Sequence, residues 1–339
     1  MSELLPPPAS VVGLRLGGPR RGKVPPVLRY RNPVHDGYFA DPFVVRAEGR
    51  YVAYGTGRMV EGRAFEVLTS PDLVHWTPSG GALEPVAADL GSDYWAPEVC
   101  RRDGRWWMYY SVGHGDRDHH IRVAAADDPT GPFLDQGLDL TSQERFAIDP
   151  SPFRASDGSW YLFYARDVLD GDRVGTMLAV DRLPTPGRLG GEPRGVLTPT
   201  GDWQIYLRDR EMYGRRYDWH TLEGPFVRQR GDRFVLTYSG GNWNEAGYGV
   251  AWAVADHPLG PWTEPADASR LLQTVEPHVV GPGHSCVVEG PLGEDVIVYH
   301  AWDEARTARR LCIDPLVWDD SGRPEVLGPS WEEVDLGRS

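Results

Sequence analysis

A hairpin-like unit recurs five times along the chain, and no other feature of the sequence restricts the possible folds as strongly. Each copy consists of an apolar strand, a polar turn and a second strand rich in aromatic and β-branched residues. A unit of this size cannot bury both of its faces, so the copies must pack against one another. The second strands carry tyrosines that we place at the same position of each unit, namely Tyr54, Tyr110, Tyr164, Tyr238 and Tyr299.

A second, weaker repeat lies between these units. Alternating segments at residues 67–72, 123–129 and 250–258 lead into turns, and the copy after the third unit, near residues 177–181, is degenerate. Few windows show helical periodicity, and Gly and Pro interrupt the chain often. The two repeats together predict an all-β protein, a five-bladed β-propeller of four-stranded antiparallel blades.

The segments outside the repeats are rich in Pro and Gly. We interpret residues 1–29 as an N-terminal arm and residues 30–339 as one propeller domain. The long connection at residues 184–222 is interpreted as the rest of blade three plus loops over one face of the propeller, and not as a separate domain.

Charge and cysteine content argue against several classes of protein. The formal charge of −14 and the pI near 5.2 disfavour a nucleic-acid partner or an anionic membrane surface. The three cysteines form no closely spaced pair, which argues against a zinc site or a disulfide framework. No apolar stretch is long enough to span a membrane and no leader pattern is present, so we expect a cytoplasmic protein, with secretion after removal of a leader as the alternative. We expect a monomer by default, with an oligomer as the alternative.

The first residues of the five units are expected to converge around one central opening. Asp41, Glu98 or its neighbours, Asp149, Glu223 and His284 occupy these places. Clustered acids repel one another, and a function would explain why such repulsion is tolerated. Glycoside hydrolysis requires one protonated and one ionised carboxyl on opposite sides of a cleft, and a third acid nearby would raise the pKa of the proton donor.

At this point the sequence resembles glycoside hydrolase family 43, the five-bladed propeller family of β-xylosidases, α-L-arabinofuranosidases and arabinanases. The motifs that carry the resemblance follow one another in the family's order. They are Ala40-Asp41-Pro42, Tyr94-Trp95-Ala96-Pro97-Glu98, Ile148-Asp149-Pro150, Glu223-Gly224-Pro225, Gly281-Pro282-Gly283-His284 and the closing segment from Arg309 to Leu316.

The resemblance implies roles for the acids. Asp41 would be the general base, Glu223 the general acid, and Asp149 would tune the pKa of the acid and orient it. The family inverts anomeric configuration, which implies a gap of roughly 6.5–9.5 Å between base and acid. His284 would lie beside a calcium ion in the central channel or beside its waters, and no cofactor is required for the chemistry.

Further side chains are candidates for binding the sugar. Arg309 matches a substrate-binding arginine of some members, although Arg310 is close enough in sequence to compete for that role. Trp95, with Tyr94, would form an apolar wall, and Phe39 and Trp243 are looser candidates for the same role. The histidine-rich segment at residues 114–120 is interpreted as a hairpin loop, at the pocket rim or in solvent, and not as a metal site.

The resemblance favours an enzyme that removes pentose units from plant polysaccharides or oligosaccharides. Among the family's activities, we expect an α-L-arabinofuranosidase or an exo-acting arabinanase, with β-xylosidase as the alternative. A carbohydrate-binding propeller without catalysis is a third interpretation, and a relative in a retaining propeller family is a fourth.

Overall fold

The computed structural model describes residues 27–266 and 269–337, and it confirms the all-β, five-bladed propeller. Blade one contains β2 (Ala40–Ala47), β3 (Arg50–Thr56), β4 (Ala64–Ser70) and β5 (Thr77–Leu83). Blade two contains β6 (Asp93–Arg102), β7 (Arg105–His114), β8 (Arg117–Ala126) and β9 (Leu134–Asp139). Blade three contains β10 (Ala147–Arg154), β11 (Trp160–Val168), β12 (Gly175–Arg182) and β13 (Arg194–Leu197).

The fourth blade differs from the other four. It contains the second half of β15 (Arg215–Arg230) with β16 (Arg233–Gly240) and β17 (Gly249–Ala255). Its outermost position is marked within the described residues by an isolated bridge between Val254 and Thr263, and not by a full strand. Blade five contains β18 (Val280–Glu289), β19 (Asp295–Trp302), β20 (Arg309–Trp318) and β21 (Pro324–Val326).

An additional hairpin precedes blade four. A short 3₁₀ helix (Asp202–Gln204) leads into β14 (Ile205–Met212), which pairs with the first half of β15 across a turn at Tyr213 and Gly214. A short parallel contact between β12 and β15 joins this hairpin to blade three. The connection at residues 184–222 therefore supplies the outer strand of blade three, as predicted, and also a regular hairpin that was not predicted.

The ring is closed by the two ends of the described chain. The strand β1 (Arg29–Tyr30) pairs with β22 (Val334–Asp335), and the Asn32 amide donates a hydrogen bond to the carbonyl of Ile313 in blade five. The predicted arm at residues 1–29 falls mostly on residues 1–26, which lie outside the described residues. No helix among the described residues is long and apolar enough to cross a membrane.

Each inner strand has a β-bulge near its start, where two residues oppose one on the second strand. At every bulge one residue has a left-handed backbone, and in four of the five blades a proline follows it. These residues are Asp41 (φ 47°), Ala96 (φ 48°), Asp149 (φ 57°), Gly224 (φ 55°) and His284 (φ 49°). A bulge turns its side chain out of the regular alternation, so three of these positions present polar side chains at the ends of the inner strands.

The predicted alignment of the repeats was wrong by one residue at Tyr54 and by two residues at Glu98. The residue opposite the bulge is Gly55 in blade one, whereas Tyr54 pairs with Phe43 one step further along. A Cβ on Gly55 would lie 2.8 Å from the ring of Phe39, so this ring occupies the space beside the glycine. In blade two the left-handed position belongs to Ala96, and Glu98 lies two residues further along the strand.

Hydrogen bonds between neighbouring blades satisfy the backbone N–H groups at several bulges. The N–H of Ala96 donates to Oγ1 of Thr56 at 2.8 Å, and the N–H of His284 donates to Oγ of Ser239 at 2.7 Å. In the same way, the N–H of Asp41 donates to Nδ1 of His300 at 3.0 Å. In these three cases a side chain of one blade fixes the bulge of the next, which keeps the strained backbone at the axis in one conformation.

Candidate active site

One cavity of about 250 Å³ opens at the end of the propeller where the inner strands begin. It brings together most of the side chains that the sequence singled out, which come from all five blades and from the loop between β16 and β17. Those lining the cavity are Asp41, Trp95, Asp149, Glu223, Trp243, His284 and Arg309. The structure therefore gathers into one site residues that are up to 268 positions apart in the sequence.

Asp41 lies among positively charged and hydrogen-bonding groups. Oδ1 of Asp41 accepts a hydrogen bond from Nη1 of Arg309 at 3.1 Å and lies 3.6 Å from Nδ1 of His284. Burial works to raise the pKa of Asp41, but the charge of Arg309 and then that of His284 hold it well below the usual aspartate value. Asp41 is consequently an ionised carboxylate with a fixed orientation.

His300 is a neutral imidazole behind Asp41. It is fully buried, and burial, then the charge of Arg309, lowers its pKa well below the usual histidine value. Nδ1 of His300 accepts the N–H of Asp41, so the proton of the neutral ring is on Nε2. The sequence analysis did not single out His300 as a site residue, because its contact with Asp41 spans 259 positions.

Asp149 and Glu223 line the same cavity, and among the described residues neither carboxyl forms an ion pair with an arginine. Burial, and then the negative charge of Asp41, raise the pKa of Asp149 to about 7. Burial, and then the charge of Asp149, raise the pKa of Glu223 to about 8. Near neutral pH the two groups therefore retain a proton between them, and Glu223 holds it more tightly.

The backbone connects these two acids directly. Oδ2 of Asp149 accepts the N–H of Gly224 at 2.9 Å, which fixes the peptide beside Glu223. A Cβ on Gly224 would lie 3.1 Å from the ring of His284, and φ is 55°, so glycine suits this position on both grounds. On its other side, Glu223 accepts at Oε1 a hydrogen bond from the Tyr248 hydroxyl at 2.5 Å.

His284 lies between the acids, and not in a cage of oxygen ligands. Nδ1 of His284 is 3.6 Å from Asp41 and 3.8 Å from Asp149. Among the described residues, no group of three or more His, Cys, Asp or Glu side chains is arranged to hold a metal ion. A calcium ion takes six to eight oxygen ligands, so the protein groups present do not fit a directly ligated calcium, and no step below depends on one.

Aromatic rings and one arginine form the walls of the cavity. Trp95 stacks on His119 of β8 with ring centroids 3.7 Å apart, so a strand residue of the histidine-rich segment supports the tryptophan. The Arg309 guanidinium lies over the Trp243 ring, 4.5 Å from its centre. Arg310 instead forms an ion pair with Asp303. The structure thus places Arg309 in the cavity and Arg310 outside it.

Two candidate wall residues lie elsewhere. Phe39 is fully buried and packs its ring edge-to-face against His35. Tyr94 packs against Phe65 and Tyr110, and its hydroxyl accepts the backbone N–H of Val86. Both predictions of a sugar-facing ring were wrong, because the two rings belong to the buried hydrophobic core.

Several cavity residues were missed by the sequence analysis. Tyr206, Arg210 and Met212 belong to the additional hairpin. Asp116, in contrast, lies in the turn between β7 and β8, within the histidine-rich segment that was predicted at the pocket rim or in solvent. Asp167 lies at the end of β11 and accepts a hydrogen bond from Thr176 at 2.9 Å, and other lining residues are Phe146, Trp219 and Thr221. The available signal was the Tyr213-Gly214 pair between two alternating segments, which is typical of a hairpin turn.

Comparisons with known proteins agree with this geometry. The model of Glycosyl hydrolases family 43 matches residues 30–324. The chain is 28% identical over 319 residues to the beta-D-galactofuranosidase xynD of Aspergillus niger, which spans 87% of this chain and 84% of that protein. It is also 28% identical over 298 residues to an extracellular exo-alpha-(1->5)-L-arabinofuranosidase of Streptomyces chartreusis, over 81% of this chain and 82% of that protein.

A solved structure gives the same result at the level of the fold. The crystal structure of a thermostable family-43 glycoside hydrolase superimposes with a TM-score of 0.79 at 30% identity, over 91% of this chain and 99% of that chain. The family match covers almost all of the propeller, including all five bulges and every acid of the cavity. The chain belongs to glycosyl hydrolase family 43 and is a glycoside hydrolase.

Proposed function

We propose that the protein is an inverting glycoside hydrolase that removes terminal α-L-arabinofuranosyl units from plant polysaccharides or oligosaccharides. The observation that carries this proposal is the contrast between two carboxyls in one cavity. The pKa of Asp41 is held below its usual value, whereas the pKa of Glu223 is raised to about 8. One group is thereby ready to accept a proton while the other is ready to donate one.

The reaction is a single displacement. Glu223 gives its proton to the glycosidic oxygen as the bond between that oxygen and the anomeric carbon breaks. A water molecule forms the new bond to the anomeric carbon from the opposite face, and Asp41 takes up its proton. The sugar leaves with inverted configuration, and exchange of one proton with solvent restores the ionised Asp41 and the protonated Glu223.

Asp149 and Arg309 support the two reacting carboxyls. Asp149 fixes the peptide of Gly224 beside the acid, and its negative charge favours the protonated form of Glu223. Arg309 is held by the Tyr38 hydroxyl at 2.8 Å and by the Trp243 ring, and it keeps Asp41 ionised. Trp95 offers a supported apolar face to a sugar ring.

The size of the cavity and the relatives support a furanoside. A cavity of about 250 Å³ is smaller than the roughly 300–1,000 Å³ of pockets for drug-sized ligands, so it suits one small sugar. The two relatives are named for an arabinofuranoside and a galactofuranoside. A β-D-galactofuranoside has the ring stereochemistry of an α-L-arabinofuranoside and carries one additional exocyclic carbon, so it is the first alternative substrate to test.

Proton NMR of the freshly released sugar tests the proposal. The substrates are arabino-oligosaccharides and xylo-oligosaccharides, with aryl glycosides of arabinofuranose, galactofuranose and xylose beside them. We expect immediate appearance of the inverted anomer from arabinofuranosides. A retained anomer would contradict the role of Asp41 as a base, and hydrolysis of xylosides alone would contradict the arabinose specificity. Binding without hydrolysis would favour a carbohydrate-binding propeller.

A further inference from the structure

The additional hairpin formed by β14 and the first half of β15, residues 205–220, stands outside the five-fold repeat. The other blades are completed by their own strands, and no blade uses β14. Nevertheless Tyr206, Arg210 and Met212 of the hairpin line the catalytic cavity. The hairpin is also continuous with the strand that carries Glu223, so its position is coupled to that of the acid.

The hairpin is held to two other blades by polar contacts at the rim of the cavity. The Tyr213 hydroxyl donates to Oδ2 of Asp167 in blade three at 2.7 Å. Nη2 of Arg210 donates to Oδ2 of Asp116 in the β7–β8 turn of blade two at 2.9 Å. Thus an element that precedes blade four is fixed to blades two and three, and it crosses one side of the cavity.

The arginine of this bridge is stiff and mostly buried. The Arg210 guanidinium lies 4.9 Å from the centre of the Tyr206 ring and 5.5 Å from that of Trp219, and its side chain is 15% exposed. Stacking of a planar guanidinium on aromatic rings restricts its rotation. A flexible loop could move aside for a polysaccharide chain. A β-hairpin held by hydrogen bonds at Arg210 and Tyr213 instead forms a rigid wall on that side of the cavity.

We propose that the hairpin, clamped by Arg210 to Asp116 and by Tyr213 to Asp167, is the element that restricts the cavity to a chain-terminal sugar. This inference rests on the proposed function, because it concerns which sugar of a glycan the same site accepts. The small volume of the cavity agrees with one closed side. An internal sugar needs two exits for its chain, and the clamped hairpin blocks the exit towards blades two and three.

The test is the double variant Asp116→Ala and Tyr213→Phe, which cuts both clamps and leaves the Arg210 side chain and every aromatic ring in place. On linear arabinan we expect wild-type protein to release only monosaccharide and the double variant to release oligosaccharides as well. The ratio of kcat/KM for the polymer to kcat/KM for an aryl arabinofuranoside should rise by at most about tenfold, because the bond of Arg210 to the largely exposed Asp116 contributes little and that of Tyr213 to Asp167 contributes most. Hydrogen exchange of amides 205–217 should accelerate.

The matched control is Arg208→Ala on the same hairpin. Arg208 is exposed and forms ion pairs with Asp202 and Asp218, and it does not line the cavity. Its loss should leave the products and the ratio of kcat/KM values unchanged. Equal behaviour of the double variant and this control would overturn the proposal, as would unchanged hydrogen exchange after both clamps are cut.

Failure of the hairpin proposal is distinguishable from failure of the proposed function. If wild-type protein hydrolyses none of the glycosides, the proposed function is wrong. The affinity for arabino-oligosaccharides of increasing length then tests whether the hairpin closes one side of the cavity. Stronger binding of long chains by the double variant than by wild type would support the wall. Identical dependence on chain length in both proteins would contradict it.

Discussion

The surroundings of Asp41 and of Glu223 shift the pKa of the carboxyl group in opposite directions. On one side, Asp41 contacts Arg309 and faces two histidines, and its pKa is held low. On the other side, Glu223 is buried near the charge of Asp149, and its pKa is raised to about 8. The intrinsic difference between aspartate and glutamate is only about half a pKa unit, so the neighbours decide which group is ionised and which retains its proton.

The backbone repeats this contrast. Asp41 itself occupies the left-handed position of its bulge, and His300 from the preceding blade accepts its N–H. In blade four that position belongs to Gly224, and the acid projects from the residue before it. The backbone of Asp41 is thus fixed by a neutral imidazole. The peptide beside Glu223 is fixed by the carboxyl group of Asp149, whose charge also raises the pKa of Glu223.

Removal of either carboxyl group should give the largest effect and should separate the two roles. Asp41→Asn is expected to lower kcat about 10²–10⁴-fold with every substrate, because the attacking water loses its base. Glu223→Gln should lower kcat similarly on oligosaccharides but by no more than about tenfold on a dinitrophenyl arabinofuranoside, whose leaving group needs no proton. Steady-state kinetics with both substrates measure the difference. The same dependence on the leaving group in both variants would refute the assignment of acid and base.

The pH profile gives a second test of the acid side. Activity requires protonated Glu223, so kcat/KM should fall as the pH rises through about 8. Because the charge of Asp149 raises the pKa of Glu223, Asp149→Asn should move this basic limb to lower pH, by about one unit or more. The measurement is kcat/KM between pH 4 and 10 with an aryl glycoside. A basic limb that stays in place would show that Asp149 acts on orientation alone.

Arg309 gives the corresponding test of the base side. Activity also requires ionised Asp41, so kcat/KM should fall when the pH drops far enough to protonate it. Arg309→Met removes the strongest of the charges that lower this pKa, and the acidic limb should move to higher pH by about one to three units. Arg310→Met is the matched control, since Arg310 pairs with Asp303 outside the cavity. A shift of equal size in the control would contradict the assignment.

Much of the fold and part of the site are predictable from local sequence. The repeat of strand, turn and aromatic strand predicts the blades, and acid-proline pairs such as Asp41-Pro42 and Asp149-Pro150 mark the bulges at the ends of the inner strands. The exact alignment was wrong at Tyr54 and Glu98, because each inner strand has a bulge whose additional residue shifts the pairing by one position. Glu98 instead lies buried behind the cavity, where burial raises its pKa well above the usual glutamate value.

The protonation states and the cavity wall could not be predicted in this way. The cation that holds Asp41 ionised comes from the far end of the chain, and only the closed ring brings it near. The hairpin with Arg210 and Tyr213 consists of charged, partly exposed strands between Pro- and Gly-rich segments. Such a segment has the composition of a loop, and its contacts to Asp116 and Asp167 span 94 and 46 positions of the sequence, so no local pattern shows them.

Substitution of His300 tests whether its hydrogen bond with the backbone N–H of Asp41 orients that residue. His300→Leu leaves the buried N–H of Asp41 without an acceptor, which should cost about 1–3 kcal/mol in the free energy of unfolding and reduce kcat about tenfold. His300→Asn keeps an acceptor near Nδ1 and should recover most of kcat. Denaturant unfolding and kinetics on both variants check this. Equal kcat in the two variants would mean that the hydrogen bond to Asp41 does not orient the base.

The smallest expected effect belongs to Tyr248, and its sign is the opposite of that for Asp149. The Tyr248 hydroxyl donates to Glu223, which favours the ionised acid and lowers its pKa. Tyr248→Phe should therefore move the basic limb to higher pH, by less than about one unit, while the ring keeps its packing over Gly283. Tyr238→Phe is the control, because it removes a buried bond to Glu264 in the same blade outside the cavity. If Tyr248→Phe and Asp149→Asn moved the limb in the same direction, the pKa of Glu223 would not be set by these two neighbours, and the contrast between the two sides of the cavity would need another cause.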